Sequence, residues 1–544
     1  MSDAAIAATT TTPDLLLQRL LAATSERTDE RLPPARFSML PRDDADADEL
    51  AARVEADLAS LGARVEPLSE LDKEVRVLVL PARAIRRSEA DVFEAAYALA
   101  DAYGLQAAEP AYPANVFPEP GLRDDDIIRD GREQAFIPGC EVPREPLPDD
   151  WALALIRAPQ AWAFSAAAGR PSKGAGIVLA QPDTGVTRHA ELQGVNSRPG
   201  FDFVDDDPDP TDPLGYPGAP GHGTATGSVI VSAGAGRVSG AAPSVTHMPI
   251  RAIRTVALVS QVEVARAIDW AVAQKAHVIS MSLGGLASIS VERAIGRAVA
   301  ADVIVLAAAG NCITQVVWPA RYDECIAVAG VNHRRQPWSG SCRGPAVDIS
   351  APGENVWAAR AGAANGTEVS QGQGTSFAVA LAASAAALWL AHHGRDAVIA
   401  AARAQGVTVA RLFRRLVRAT SQKPPGWDAT KMGAGIVDCE ALLKAALTLG
   451  QGQEAAPAPQ TPERMLAQFV SESAALANGR EAAATESAPA VPNAALLAPE
   501  ISLHLLRSRL PAVRQAGAEL GAPSPRLSAA AQGPLRGLLG EARP

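Results

Sequence analysis

Aromatic residues are scarce in this chain. Phe, Trp and Tyr make up 4% of its 544 residues, while 47% are hydrophobic in the wider sense. A core of that composition must be packed through small and aliphatic side chains, which suits layered α/β structure. The length exceeds what one core supports and implies two or three domains. A basic surplus is also lacking. Sixty acidic residues stand against fifty basic ones, the net charge is −10, and no basic run stands out. Nucleic acid is therefore not an expected partner. No uninterrupted apolar run reaches the ~18–20 residues that a membrane-spanning helix needs. The most apolar stretch, Phe377 to Ala391, contains Ser384 and reads as a buried helix, so no membrane span is expected. The first residues, Met1-Ser2-Asp3-Ala4-Ala5, lack the basic start and leucine-rich run of a secretory signal, and a cytoplasmic location is expected. Cysteine is sparse and odd in number: Cys140, Cys312, Cys325, Cys342 and Cys439. That argues against a disulfide framework and fits a reducing compartment. Metal-ligand spacings of the Cys-x-x-Cys and His-x-x-x-His kinds are absent, so no structural zinc site is expected.

What the chain does have is three short segments in one order. They are Pro182-Asp183-Thr184-Gly185, Gly221-His222-Gly223-Thr224 and Gly374-Thr375-Ser376. A serine hydroxyl is a poor nucleophile until an imidazole takes its proton and a carboxylate holds that imidazole in one tautomer. Asp183, His222 and Ser376 supply those three groups, and the glycines beside them allow a substrate backbone to come close. Ser376 leads directly into the apolar helical stretch, where helix N-terminal N–H groups favour developing negative charge.

The segments resemble those of subtilisin-like serine peptidases, the S8 family, whose order is Asp, His, Ser. The resemblance runs from about Trp151 to about Leu449. Ala307-Ala308-Ala309-Gly310-Asn311 is similar to the family's oxyanion-hole segment, which implies that Asn311 donates to the oxyanion. Ser280 to Gly285 is similar to the strand that pairs with substrate. It implies substrate contacts from Ser282, Leu283 and Gly284, with Ala309, Gly310 and Val317 lining the first specificity pocket. Relatives often have glycine just ahead of the aromatic position held here by Trp318. Val316 and Val317 stand there instead and imply a narrow, uncharged pocket. Other departures are Ala380 in place of a proline, Ala225 in place of a histidine, and Gln181 and Pro182 where the family more often has aliphatics.

The resemblance also implies an architecture. Short apolar runs at 176–180, 278–282, 303–309 and 326–330 alternate with amphipathic stretches such as 262–274 and 291–301. That pattern predicts a three-layer α/β domain with a mostly parallel sheet over residues 150–449. Residues 35–117 read as a small α+β ferredoxin-like unit, β-α-β-β-α-β. Leu50, Val54 and Leu58 mark one helix, and Val92, Ala96, Leu99 and Tyr103 the other. Its position before the catalytic region resembles an inhibitory propeptide, an intramolecular partner whose end enters the cleft. Residues 1–34 read as a mostly disordered tail with a short helix at Leu15–Leu21, and 118–149 as an acidic, proline-rich linker. Residues 450–544 read as an Ala/Pro-rich tail with short helices. One lies near Met465, Leu466, Phe469 and Val470, and beyond it is a helical hairpin, a docking segment or plain disorder.

The expected activity is serine endopeptidase, hydrolysing polypeptide through an acyl-enzyme on Ser376. Two alternatives stand beside it: a transpeptidase or macrocyclase resolving the same acyl-enzyme with an amine, and a catalytically weak peptide-binding regulatory protein. No cofactor is required by this chemistry. Asp205, Asp207, Asp209 and Thr211 lie in an acidic loop that resembles a calcium loop of some subtilases. His189, His392 and His393 read as surface residues.

Overall fold

Seven strands form one sheet in the order Ile349–Pro352, Ile326–Val331, Ile304–Ala308, Val278–Met281, Val178–Asp183, Thr246–Arg251, Phe201–Asp202, and every pairing is parallel. This is a computed structural model, and it describes residues 11–28, 33–86, 89–111, 142–216, 218–234, 236–256, 261–361, 366–448, 461–477, 494–509 and 527–539. Most of these strands are buried along their whole length, as continuous apolar runs must be when helices cover both faces. The helix Thr375–His393 passes through the core against five of them. It is long and apolar enough to cross a membrane, and it is wholly enclosed by protein. Its many alanines let it lie close to the strands. Ser288 caps the helix Ile289–Ala300 by accepting from Val291 N–H. The helix Gln261–Ala273 lies beside it. The architecture is the three-layer subtilisin-like α/β fold that the sequence implies.

The N-terminal part has four antiparallel strands in the order Arg64–Pro67, Arg76–Leu80, Ala35–Leu40, Ala107–Pro110. The helices Ala47–Asp57 and Glu89–Tyr103 complete a β-α-β-β-α-β unit. The expectation of a disordered tail over 1–34 fails for residues 13–26. Thr12 caps the helix Pro13–Ala23, whose Leu16, Leu20 and Ala23 are buried, and Thr24–Glu26 pairs with Arg83–Ile85. The short helix expected at Leu15–Leu21 lies within Pro13–Ala23, and Thr12 and Pro13 are its ordinary start signals.

At the other end, the helices Pro462–Ala477, Ala494–Arg509 and Ala529–Leu538 pack together. They are a docked unit, so disorder is the wrong alternative for these residues. Met465, Leu466, Phe469, Val470, Ile501, Leu503 and Leu506 are buried. Residues 112–141, the end of the 35–117 unit and most of the linker, fall outside the described residues; the rest of the linker, 142–149, lies along the catalytic part. Gln373 there donates to Val142 C=O and accepts from Val142 N–H, at 2.6 and 3.1 Å.

Candidate active site

Asp183 ends its strand and His222 opens the helix His222–Val231. Both side chains are 1% exposed, and His222 Nδ1 lies 2.6 Å from Asp183 Oδ1. Asp183 Oδ1 also accepts from Thr184 N–H at 2.7 Å. A carboxylate so placed fixes the imidazole tautomer with Nδ1 protonated, which leaves Nε2 as the basic nitrogen. Gly223 allows this approach: a Cβ there would stand 2.1 Å from Gly185 O and 3.2 Å from Asp183 Cβ.

Ser376 lies in the first turn of Thr375–His393, and its C=O accepts from Ser282 Oγ at 3.0 Å. Asn311 follows the strand Ile304–Ala308. Its Oδ1 accepts from both Thr375 N–H and Thr375 Oγ1–H at 2.9 Å. With the oxygen held there, the amide N–H₂ is the end left for a ligand. Thr375 Oγ1 in turn accepts from Gly310 N–H at 3.1 Å.

Val317 stands where a pocket would open. A Cβ on Gly284 would lie 2.9 Å from Val317 Cγ2, and one on Gly310 would lie 3.0 Å from it. Val316 and Val317 are both buried. Gly284 N–H donates to Val256 C=O at 2.8 Å, so this backbone donor is engaged in the present structure.

Several residues around the site carried no signal in the sequence. Asp212, there one acid among many in its loop, is buried. It accepts from Thr184 Oγ1–H and Gly221 N–H, both at 2.7 Å, which braces the segments on either side of the Asp183–His222 pair. Burial raises its pKa above the usual carboxylate value. Gln181 donates to Thr226 Oγ1 at 2.7 Å and accepts from His247 Nε2–H at 2.7 Å. Only the departure of Gln181 from an aliphatic hinted at this. His189 and His392 are buried, which corrects their reading as surface residues. His189 Nδ1 accepts from Glu191 N–H, and His392 stacks on Phe164 at 5.1 Å. Cys312 is disulfide-bonded, against the expectation from cysteine spacing, while Cys325, Cys342 and Cys439 are free and buried.

Of the residues considered for calcium, Asp205 is already paired. Arg251 and Arg254 hold the Asp205 carboxylate. Asp207 Oδ1 accepts from Asp209 N–H, and Asp209 Oδ1 from Thr211 N–H and its hydroxyl. Elsewhere Glu145, His333 and Glu354 bring ligand atoms within 4.8 Å of one another. Arg334 already binds Glu145 there through two hydrogen bonds of 2.8 and 3.2 Å.

The family model described as the subtilase family matches residues 174–435. A thermostable alkaline protease of Halalkalibacterium halodurans is 34% identical over 209 residues, which is 38% of this chain and 54% of that protein. The chain thus spans about half the length of that relative. Subtilisin Savinase of Lederbergia lenta is 32% identical over 241 residues, covering 44% of this chain and 82% of that protein. Among solved structures, one of a protease from Pseudoalteromonas arctica aligns with a TM-score of 0.46 at 24% identity, over 55% of this chain and 98% of the other. On its motifs, the family model and the match to most of subtilisin Savinase, the chain belongs to the subtilase family.

Proposed function

We propose that this protein is a serine endopeptidase. The observation that carries the reading is the buried 2.6 Å contact between Asp183 and His222, at the carboxyl end of the same parallel sheet that Asn311 follows, with Ser376 in the first turn of the core helix. His222 takes the Ser376 proton as Ser376 Oγ attacks the scissile carbonyl, then returns a proton to the leaving amine. Asp183 holds the imidazole and stabilises its cation. Asn311 Nδ2–H and the Ser376 backbone N–H donate to the oxyanion. Water, activated by His222, then releases the acyl group. Kinetics test this assignment. Ser376→Ala should fold and lose roughly 10⁴–10⁶-fold in kcat. Asn311→Ala should lose about 10²–10³-fold with little change in KM, because that donor acts in the transition state. Near-normal activity in Ser376→Ala would refute the assignment.

The packing of Val317 against Gly284 and Gly310 supports a preference for small or medium apolar residues at P1. It should be graded, at about 1–3 kcal/mol per methylene. A P1-scanning peptide library in which Arg or Phe is preferred would reject it. Residues 35–117 are read as an intramolecular inhibitor. What supports this is their sheet lying on the helices Gln261–Ala273 and Ile289–Ala300, with the Glu109 carboxylate accepting from Ile289 N–H at 2.7 Å and Ser288 Oγ–H at 2.9 Å.

A further inference from the structure

Behind the Asp183–His222 pair lies a row of buried polar groups that the proposed chemistry does not use. Gln181 is two residues before Asp183 on the same strand, so both side chains face the helix His222–Val231. Thr226 is one turn beyond His222 on that helix. Gln181, Thr226 and His247 are 1%, 0% and 2% exposed. The Gln181 amide is fully used: Nε2 donates to Thr226 Oγ1 at 2.7 Å and to Gly223 C=O at 3.0 Å, and Oε1 lies 2.7 Å from His247 Nε2. Thr226 Oγ1 lies 3.1 Å from Asp183 Oδ2 and also 3.1 Å from His222 C=O.

The direction of this row follows from proton counting. Burial lowers His247 to a pKa of about 4, so the ring is neutral at ordinary pH and carries one N–H. Its proton on Nε2 goes to Gln181 Oε1, which turns the amide N–H₂ toward Thr226. Gln181 then occupies a lone pair of the Thr226 hydroxyl, and the single hydroxyl proton must point to Asp183 Oδ2 or to His222 C=O. Among the described residues, Thr226 is the hydrogen-bond donor to Oδ2; the other two donors to Asp183 use Oδ1. We infer that Gln181, set by His247, is a positioning residue that acts through Thr226 to hold the free carboxylate oxygen of Asp183. With an aliphatic at 181, Thr226 would be free to settle into the ordinary intrahelical bond to His222 C=O, and Oδ2 would lose its donor. The other charged groups nearby are committed elsewhere. Asp212 binds Thr184 and Gly221, and Arg251, paired in register with Asp183 on the next strand, is held by Asp202 and Asp205.

The inference rests on the endopeptidase reading for its kinetic consequence but not for its structural one, and the test separates the two. The His222 titration would be followed by NMR in the full-length Ser376→Ala protein, which needs no turnover. Removing a donor from Oδ2 leaves more negative charge facing the imidazole. Thr226→Val and Gln181→Leu should therefore each raise the His222 pKa by about 0.3–1 unit. The double variant should show no further rise, because Gln181 acts through Thr226, and Thr226→Ser should restore the parent value. In the active protein, the acid limb of kcat/KM should move the same way, with kcat about 3–10-fold lower and KM unchanged. If Gln181→Leu fails to fold because His247 loses its acceptor, Thr226→Val and Thr226→Ser decide the matter alone. An unmoved His222 titration in Thr226→Val overturns the inference, as do additive shifts in the double variant. Absence of turnover in the parent protein would instead count against the endopeptidase reading.

Discussion

Two regions dock on the catalytic domain, and they do so by opposite means. The N-terminal domain meets it through charge. Arg36 pairs with Glu263, Arg266 with Glu66, and Arg293 and Arg297 with Asp72, while Ser69 bonds Asp269. The arginines are 19–33% exposed, while the Asp72, Asp269 and Glu263 side chains are 1–9% exposed. The C-terminal helices meet it through apolar burial. Phe469 lies against Trp318 with ring centroids 4.7 Å apart, and Met465, Leu466 and Val470 are buried beside it. Polar groups in that contact are enclosed. The Arg321–Glu472 pair is 2% and 4% exposed, and the Gln315 amide donates to Phe469 C=O and accepts from Ser473 Oγ–H. Ion pairs whose arginines stay partly exposed are weakened by water and salt, whereas truncating an apolar anchor or one partner of an enclosed pair is costly. The first contact is mainly polar and the second mainly apolar.

Breaking the apolar contact should have the largest effect. Phe469→Ala leaves a cavity over Trp318 and should cost about 3–5 kcal/mol. Limited proteolysis should then cut the C-terminal helices away while the catalytic domain survives. If Phe469→Ala leaves these helices as protected as in the parent protein, the contrast drawn here is wrong.

The charged contact should respond to pH. Burial is the main influence on Glu109 and raises it from 4.5 to about 7, despite bonds from Ile289 and Ser288 that oppose this. Burial also raises Glu292 to about 7, and Glu109, Glu324, Asp323 and Glu463 all push the same way. A carboxyl that holds its proton more tightly when docked favours docking below its free pKa and loses that contribution as pH rises through the docked one. Docking should therefore weaken from about pH 4.5 to pH 8, on the order of ten- to a hundredfold for Glu109. The check is the dissociation rate of the N-terminal domain from Ser376→Ala protein cut between Ala111 and Val142, at pH 5.5 and pH 8. A rate independent of pH would remove these two acids from the account.

A smaller effect is expected from Asp72→Asn. Asp72 is held below its normal pKa although burial alone would raise it, chiefly because Arg293 donates to it. Asparagine keeps an acceptor but loses the charge that faces Arg293 and Arg297. Dissociation of the cut domain should quicken roughly tenfold, and added salt should narrow the difference between variant and parent.

The legible parts of this molecule are those written locally. Asp183, His222, Asn311 and Ser376 each sit in a short glycine-bearing motif, and the buried strands are continuous apolar runs. The strand Thr246–Arg251 was not legible, because His247, Pro249 and Arg251 break its apolar pattern while their burial depends on partners elsewhere in the fold. Thr375 and Asp212 could not be singled out for the same reason. Their roles are hydrogen bonds to residues 64 and 28 positions away, Asn311 and Thr184. The helix Pro462–Ala477 was visible as a helix, but its burial against Gln315 and Trp318 was not, since those partners lie some 150 residues earlier.

The C-terminal unit also touches the N-terminal domain. Tyr97 Oη–H donates to Glu500 Oε2 at 2.7 Å, and Glu500 is held in turn by Ser528. Tyr97 and Glu500 are 403 residues apart in the chain. At ordinary translation rates that separation is about 20–80 s of synthesis. During that interval the nascent protein has its first domain and then its active site, but nothing yet joins the two from the far side. The third contact is a matter of timing as much as of packing: it closes last, on a pair of domains that have already had to find each other through their charges.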